Sequence, residues 1–150
     1  MTRLIIYLIA AGTIILDIVT KIAVFATMSE GQSIKILPNI FHITLVLNKG
    51  TAFGLLKGFN IFFIIISFIA AVLIIVYIGR HKKMDQASMV ALGFILGGAI
   101  SNMVNRVRFG CVIDFLDFRV WPVFNIADSC ITVGVVILIT NVLMFRKLVR

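Results

Sequence analysis

FNIFFIIISFIAAVLIIVYI, residues 59–78, is a run of twenty residues without one charged side chain. At 1.5 Å per residue a helix of that length spans roughly 30 Å, the thickness of a bilayer's hydrocarbon core. Nothing in a soluble domain needs such a stretch, and the rest of the chain agrees. Of 150 residues, 61% are hydrophobic and 13% charged, too little charge to clothe a soluble surface. Working outward, three further apolar stretches appear, at about 4–28, 87–104 and 125–145. The fold class expected is an all-α membrane protein. It has four transmembrane helices, a small β-sheet on the outer face and an interfacial segment between the third and fourth helices. Residues 1–150 are read as one integral membrane domain, with outer-face connections at about 29–58 and 105–124.

The N-terminal MTR followed by apolar residues has the look of a signal peptide. The run continues to about Met28 without a small-residue cleavage site, so a retained span is expected. A net charge of +8 would suggest nucleic acid in a soluble chain. Here the basic residues gather at the ends of apolar runs, which argues for membrane anchoring and against nucleic acid. Arg3, Arg80, Lys82, Lys83, Arg146, Lys147 and Arg150 lie densely on one side, against a sparser Lys35, Lys49, Lys57, Arg106, Arg108 and Arg119 on the other. Density in the short segments decides the orientation: both termini and the RHKK loop at 80–83 cytoplasmic, the long connections outside.

Within the first outer connection, FHITLVLN at 41–48 alternates with period two and predicts a strand. Asn48-Lys49-Gly50 then signals a turn, and Thr51-Ala52-Phe53-Gly54 returns an apolar stretch. In the third span, Gly93, Gly97 and Ser101 share a face that suits close helix packing. Gly98, Asn102 and Arg106 share the adjacent one.

GCVIDFLDFRVWPVFNIADS, residues 110–129, holds three of the six acidic residues, Asp114, Asp117 and Asp128. An ionisable group in apolar surroundings costs about 2.5–3.5 kcal/mol on insertion scales, so each carboxylate needs a partner or a task. Two carboxylates that meet at a membrane surface suit hydrolysis by a shared-proton pair. Asp128 lies about one turn inside the fourth helix, and a hairpin through Trp121-Pro122 would bring Asp114 to it. By composition Asp117 is interchangeable with Asp114. Equally open is that each acid is solvated and paired with Arg106, Arg108 or Arg119. Asp17 and Lys21, four apart with the acid first, form a favourable helical ion pair. They either fix packing or belong to the polar cluster. Cys111 with His42 is a competing nucleophilic pair, disfavoured because both residues suit filler positions. No spacing suggests a metal or cofactor site. A proton-coupled transporter using Asp17, Lys21 and Asp128 would need ionisable groups through the whole bilayer, and the cytoplasmic half of the spans has almost none. A structural partner protein would need none of these acids.

Five segments in order resemble lipoprotein signal peptidase, or signal peptidase II. They are Asp17-x-x-Thr20-Lys21, Asn48-Lys49-Gly50-Thr51-Ala52-Phe53, Gly97-Gly98-Ala99-x-x-Asn102 with Arg106, Val112-Ile113-Asp114-Phe115, and Phe124-Asn125-x-Ala127-Asp128-Ser129. The resemblance implies a monomeric aspartic endopeptidase of the bacterial inner membrane, with its site at the periplasmic face. It would remove signal peptides from diacylglyceryl-modified prolipoproteins, cutting before the lipidated cysteine, and would be sensitive to cyclic peptides of the globomycin type. It further implies that Asp114 and Asp128 are catalytic, and that Asn48, Gly98, Asn102, Arg106, Asn125, Asp17 and Lys21 line or support the site. Thr51, where alanine is common, and Asn105, where an acid is common, depart from the pattern.

Overall fold

In a computed structural model, residues 2–50, 60–81 and 83–148 are described. The stretch Thr51–Gly54, including the Thr51 departure, falls outside them. The element order is α1 (Thr2–Thr27), β1 (Ser33–Leu37), β2 (Phe41–Asn48), α2 (Asn60–Arg80), α3 (Gln86–Phe109), β3 (Val112–Asp117) and α4 (Ile126–Leu148). All four helices are long and apolar enough to cross a membrane. The four spans and the small sheet expected from hydropathy are present.

Each helix's composition follows from what surrounds it. α2 has the highest mean hydropathy and is mostly uncovered by protein, with Ile61, Phe68 and Leu73 more than half exposed to the lipid position. α3 has the lowest mean hydropathy of the four and is more than half covered, because it packs against all three other helices. A polar residue in a span is tolerable where neighbouring helices enclose it, and α3 carries Ser101, Asn102 and Asn105, all buried.

Close approach needs small residues on α3. A Cβ added to Gly97 would sit 2.6 Å from the Ala10 carbonyl oxygen of α1, and one added to Gly98 only 2.5 Å from the Ala127 carbonyl oxygen of α4. The two faces expected from the sequence therefore serve two partners: Gly93 and Gly97 receive α1, while Gly98 receives α4. α3 runs past the apolar stretch, which ends at Val104, and stops where Gly110 takes a left-handed conformation (φ 69°), its N–H bonded to the Arg106 carbonyl at 3.0 Å. The connection to α4 follows from Gly110.

Arg3 Nη2 donates to the Gly79 carbonyl at 2.9 Å, joining the start of α1 to the end of α2. Asn141 near the end of α4 donates to Asp85, the N-cap of α3, at 2.9 Å. The start of α1 and the last turns of α4 therefore lie at the same end of the bundle, and the sheet lies at the other.

The sheet has the order β1-β2-β3, antiparallel throughout. Its third strand comes from the segment between α3 and α4, for which the sequence suggested only an interfacial segment. β2 carries an irregularity between Ile43 and Val46, where its count runs one residue ahead of β3. After β3 the chain turns and pairs again: Phe115 and Leu116 N–H groups donate to the Phe124 carbonyl at 2.9 and 2.7 Å, and Phe124 N–H returns a bond to Leu116 at 3.1 Å. The turn is held by Asp117, which accepts from Arg119 N–H at 2.9 Å while Arg119 adopts φ 65°. This return delivers Phe124 and Asn125 beside Asp114.

The glycine contacts lead to a test. Gly98→Ala forces Cβ onto backbone and is expected to destabilise by about 1–3 kcal/mol. Gly12→Ala, with nothing within 4 Å of the added carbon, should be neutral or slightly stabilising. Thermal unfolding of the two variants in detergent micelles separates these outcomes.

Candidate active site

The fourth helix starts with a reciprocal cap. Asp128 N–H donates to Asn125 Oδ1 at 2.9 Å, and Asn125 N–H donates to Asp128 Oδ2 at 3.3 Å. This is the capping-box arrangement, with Asn at the cap and Asp three residues on. Local backbone chemistry therefore fixes where the Asp128 carboxylate sits. The Asn-x-x-Asp spacing at 125–128 was the available sign of this cap, and the sequence reading passed over it.

Asn125 also reaches across. Its Nδ2 donates to Asp114 Oδ1 at 2.7 Å and to Asn102 Oδ1 at 3.2 Å. Fully buried Asn125 thus meets the Asp114 carboxylate with its side-chain amide and the Asp128 carboxylate with its backbone N–H. Asp114 receives a second bond, 2.8 Å from Asn48 Nδ2. β2 and β3 put these two on one face, since Asp114 lies opposite Val46 and Asn48 is two residues further along β2. Gly50 N–H donates to Asn48 Oδ1 at 3.0 Å and thereby fixes which end of the amide faces Asp114. Asp128 Oδ1 accepts from Asn102 Nδ2 at 2.7 Å.

Behind this layer stands a buried ion pair. Lys21 Nζ lies 2.6 Å from Asp17 Oδ2, and neither side chain is more than 2% exposed. Lys21 also donates to Asn102 Oδ1 at 2.9 Å. An ammonium can only donate, so this bond compels Asn102 to turn its NH2 toward Asp128. Asp17 accepts in addition from Ser101 Oγ at 2.6 Å and from Ala127 N–H, in the first turn of α4, at 2.9 Å. Both meanings considered for the pair hold at once: it locks three helices together, and it belongs to the polar cluster. Ser101 has a polar role as well as a packing one, which its place in a small-residue stripe concealed.

Asp114 and Asp128 line a cavity of about 610 Å³. Asn48 and Arg106 stand on its polar side, and Phe118, Trp121, Phe124 and Val133 form an apolar wall. Arg106 makes no ion pair with either acid among the described residues. Its guanidinium lies 5.1 Å from the centre of the Phe63 ring. Burial pushes the Asp114 pKa up to about 7, and repulsion from the Asp128 carboxylate adds to the rise, against the hydrogen bonds from Asn48 and Asn125.

Asp117 has a different setting. It accepts from Thr44 Oγ1 at 2.7 Å and from Arg119 Nη1 at 2.9 Å. Burial acts to raise its pKa, but these bonds outweigh it and hold the carboxyl below the usual value. Alternation along β3 puts residues three apart on opposite faces, and that separates Asp117 from Asp114. Cys111 is a buried free thiol whose pKa burial raises. His42 spends its Nδ1 on Ser33 Oγ at 3.1 Å. Neither is set up as a nucleophile–base pair. Among the described residues no cluster of His, Cys, Asp or Glu is arranged to hold a metal.

The ion pair makes a measurable demand. Lys21→Met leaves Asp17 buried without its counter-charge and is expected to destabilise by about 3–5 kcal/mol. The double change Lys21→Met with Asp17→Asn should recover part of that loss. Thermal unfolding of the single and double variants tests the coupling, and equal stabilities would refute it.

Comparison with known proteins agrees over nearly the whole chain. A sequence model of the family described as signal peptidase (SPase) II matches residues 9–144. The lipoprotein signal peptidase of Halothermothrix orenii is 41% identical over 136 residues, covering 89% of this chain and 92% of that one. That of Brevibacillus brevis is 41% identical over 143 residues, covering 94% and 96%. Two solved structures, both described as bacterial membrane enzymes, superpose closely. One has a TM-score of 0.86 at 35% identity, covering 91% of this chain and 86% of that chain. The other has a TM-score of 0.82 at 36% identity, covering 91% and 90%. This multi-pass membrane chain belongs to the signal peptidase II family.

Proposed function

We propose that this protein is an aspartic endopeptidase that removes signal peptides from bacterial prolipoproteins, cutting immediately before a cysteine that carries a diacylglyceryl group. The single observation that carries the reading is one residue, Asn125, bonded to the Asp114 carboxylate through its side chain and to the Asp128 carboxylate through its backbone N–H, with both acids lining one cavity. Membership of a family whose relatives are named lipoprotein signal peptidases supports the substrate class.

In this reading Asp114 and Asp128 share one proton. The ionised member takes a proton from a water that attacks the scissile carbonyl, and the protonated member donates to the substrate. Such a pair titrates as a unit, so its apparent pKa values belong to both acids. Asn48, Asn102 and Asn125 hold the carboxylates at fixed angles, and Arg106, with no ion-pair partner among the described residues, stands in the cavity ready for a polar group of the substrate. Asp17, Lys21 and Gly98 act by position, setting the start of α4 against α3. The apolar wall suits a lipidated, hydrophobic peptide arriving sideways from the bilayer, and equally a cyclic peptide inhibitor of the globomycin type.

The density of basic residues at the termini and at 80–83 supports a cytoplasmic placement for that end. The sheet and the acids then face the exterior of the inner membrane. One chain suffices for this reading, because both acids and the amides that hold them come from the same chain.

Asp114→Asn and Asp128→Asn should each lower cleavage of a diacylglyceryl prolipoprotein by about 10²–10⁴-fold or more. Asp117→Asn should keep activity within a few-fold, because its carboxylate serves the Arg119 turn. Gel-shift assays in detergent micelles read all three, and full activity in either of the first two rejects the assignment.

The pH profile gives a second test. Activity needs the shared proton, so it should fall as pH rises through about 7. The Asn48 hydrogen bond favours ionised Asp114. Asn48→Ala should therefore raise that pKa and move the alkaline limb to higher pH. A limb that stays or moves down excludes Asp114 as the titrating acid.

A further inference from the structure

A second cavity, of about 520 Å³, lies behind the sheet and shares no lining residue with the first. Strand alternation divides the two. On β3, Val112 and Asp114 face the first cavity while Ile113, and Cys111 just before the strand, face the second; on β2, Asn48 faces the first and Leu47 the second. α3 divides in the same way, giving Arg106 to the first cavity and Asn105 and Arg108 to the second.

We infer that this second cavity binds an anionic phospholipid from the leaflet at the sheet end of the bundle, its phosphate on Arg108 and an acyl chain against α1. The charge of the lining carries the choice of occupant. Its ionisable residues are Lys21, Arg108 and the thiol of Cys111, with no carboxylate among them. Lys21 is already committed to Asp17 and Asn102. Arg108 has no acidic partner among the described residues, and its guanidinium rests over the adjacent Phe109 ring at 5.5 Å. A guanidinium fork at a membrane boundary matches phosphate geometry.

The apolar part fits a chain. Ile22, Phe25 and Phe109 flank the opening and are each more than half exposed on the lipid-facing side. Ile18 and Val104 continue the apolar surface along α1 and α3. An uncharged diacylglyceryl group would leave Arg108 unused, which argues against the substrate's own lipid. The bound lipid packs behind Ile113 and so buttresses the strand that carries Asp114.

Native mass spectrometry of the delipidated full chain in detergent, titrated with phosphatidylglycerol, phosphatidylcholine or dioleoylglycerol, tests this without any cleavage assay. The result is therefore independent of the proteolytic reading. Phosphatidylglycerol should bind about tenfold more tightly than the other two, and Arg108→Gln should remove that preference. Ala26→Trp, which fills the mouth from an exposed position of α1 and keeps the charge, should also weaken phosphatidylglycerol binding. Lys35→Gln, a cation on β1 away from the cavity, should change nothing. Equal binding of phosphatidylglycerol and phosphatidylcholine overturns the inference, as does a preference that survives Arg108→Gln. Dioleoylglycerol binding as tightly as phosphatidylglycerol would reassign the cavity to neutral acyl chains. If Ala26→Trp does not fold, Arg108→Gln decides alone.

Discussion

The ion pair between Asp17 and Lys21 is the constraint on which the site depends. An isolated charge in a membrane-spanning helix is too costly to keep, so each must find its complement at once. Four residues apart on α1, they do. The pair then has hydrogen-bonding capacity to spare, and it is spent on the neighbours. Asp17 takes Ser101 of α3 and the first turn of α4; Lys21 takes Asn102 of α3. Three helices are pinned at one depth by two side chains, and that is the depth at which Asp128 emerges.

From that anchor the polarity of the site propagates by elimination. Lys21 offers only donors, so Asn102 must present its oxygen to it and its NH2 to Asp128. Gly50 N–H takes the oxygen of Asn48, so the NH2 of Asn48 must face Asp114. Asn125 presents its oxygen to Asp128 N–H and its NH2 to Asp114. Two of these amides are oriented by a group outside the acid pair, and the third by the backbone N–H of Asp128. The carboxylates therefore meet an array of donors already set in place, which is the condition for electrostatic preorganisation. Against those donors, burial and the neighbouring carboxylate still raise the Asp114 pKa to about 7.

The same sheet that positions the pair also partitions the protein end on which it sits. Antiparallel pairing fixes which residues of β2 and β3 point to each side, so one strand supplies Asp114 to the front and Ile113 to the back. The irregularity in β2 matters here. By advancing β2 one residue relative to β3, it allows Thr44 to serve Asp117 while Asn48 serves Asp114, although the two acids face opposite ways. Asp117 is then occupied by Thr44 and Arg119 in the turn that returns the chain to Asn125.

Hydropathy and charge spacing alone determined the four spans, the strand at 41–48 and the Asp17–Lys21 pair. Those features follow from the solvent and from the helical repeat, both of which act locally along the chain. The same local signals left Asp114 and Asp117 equivalent, because a segment of six residues does not declare itself a strand until it finds β2 to pair with. Register across that pairing, a long-range quantity, is what turned one acid toward the cavity and the other toward Arg119. The Asn125–Asp128 cap was local and legible, yet its meaning was not, since a cap becomes part of a site only when another element brings Asp114 within 2.7 Å of the same amide. The tertiary structure supplied that approach, through the return of the chain after β3 that pairs Leu116 with Phe124.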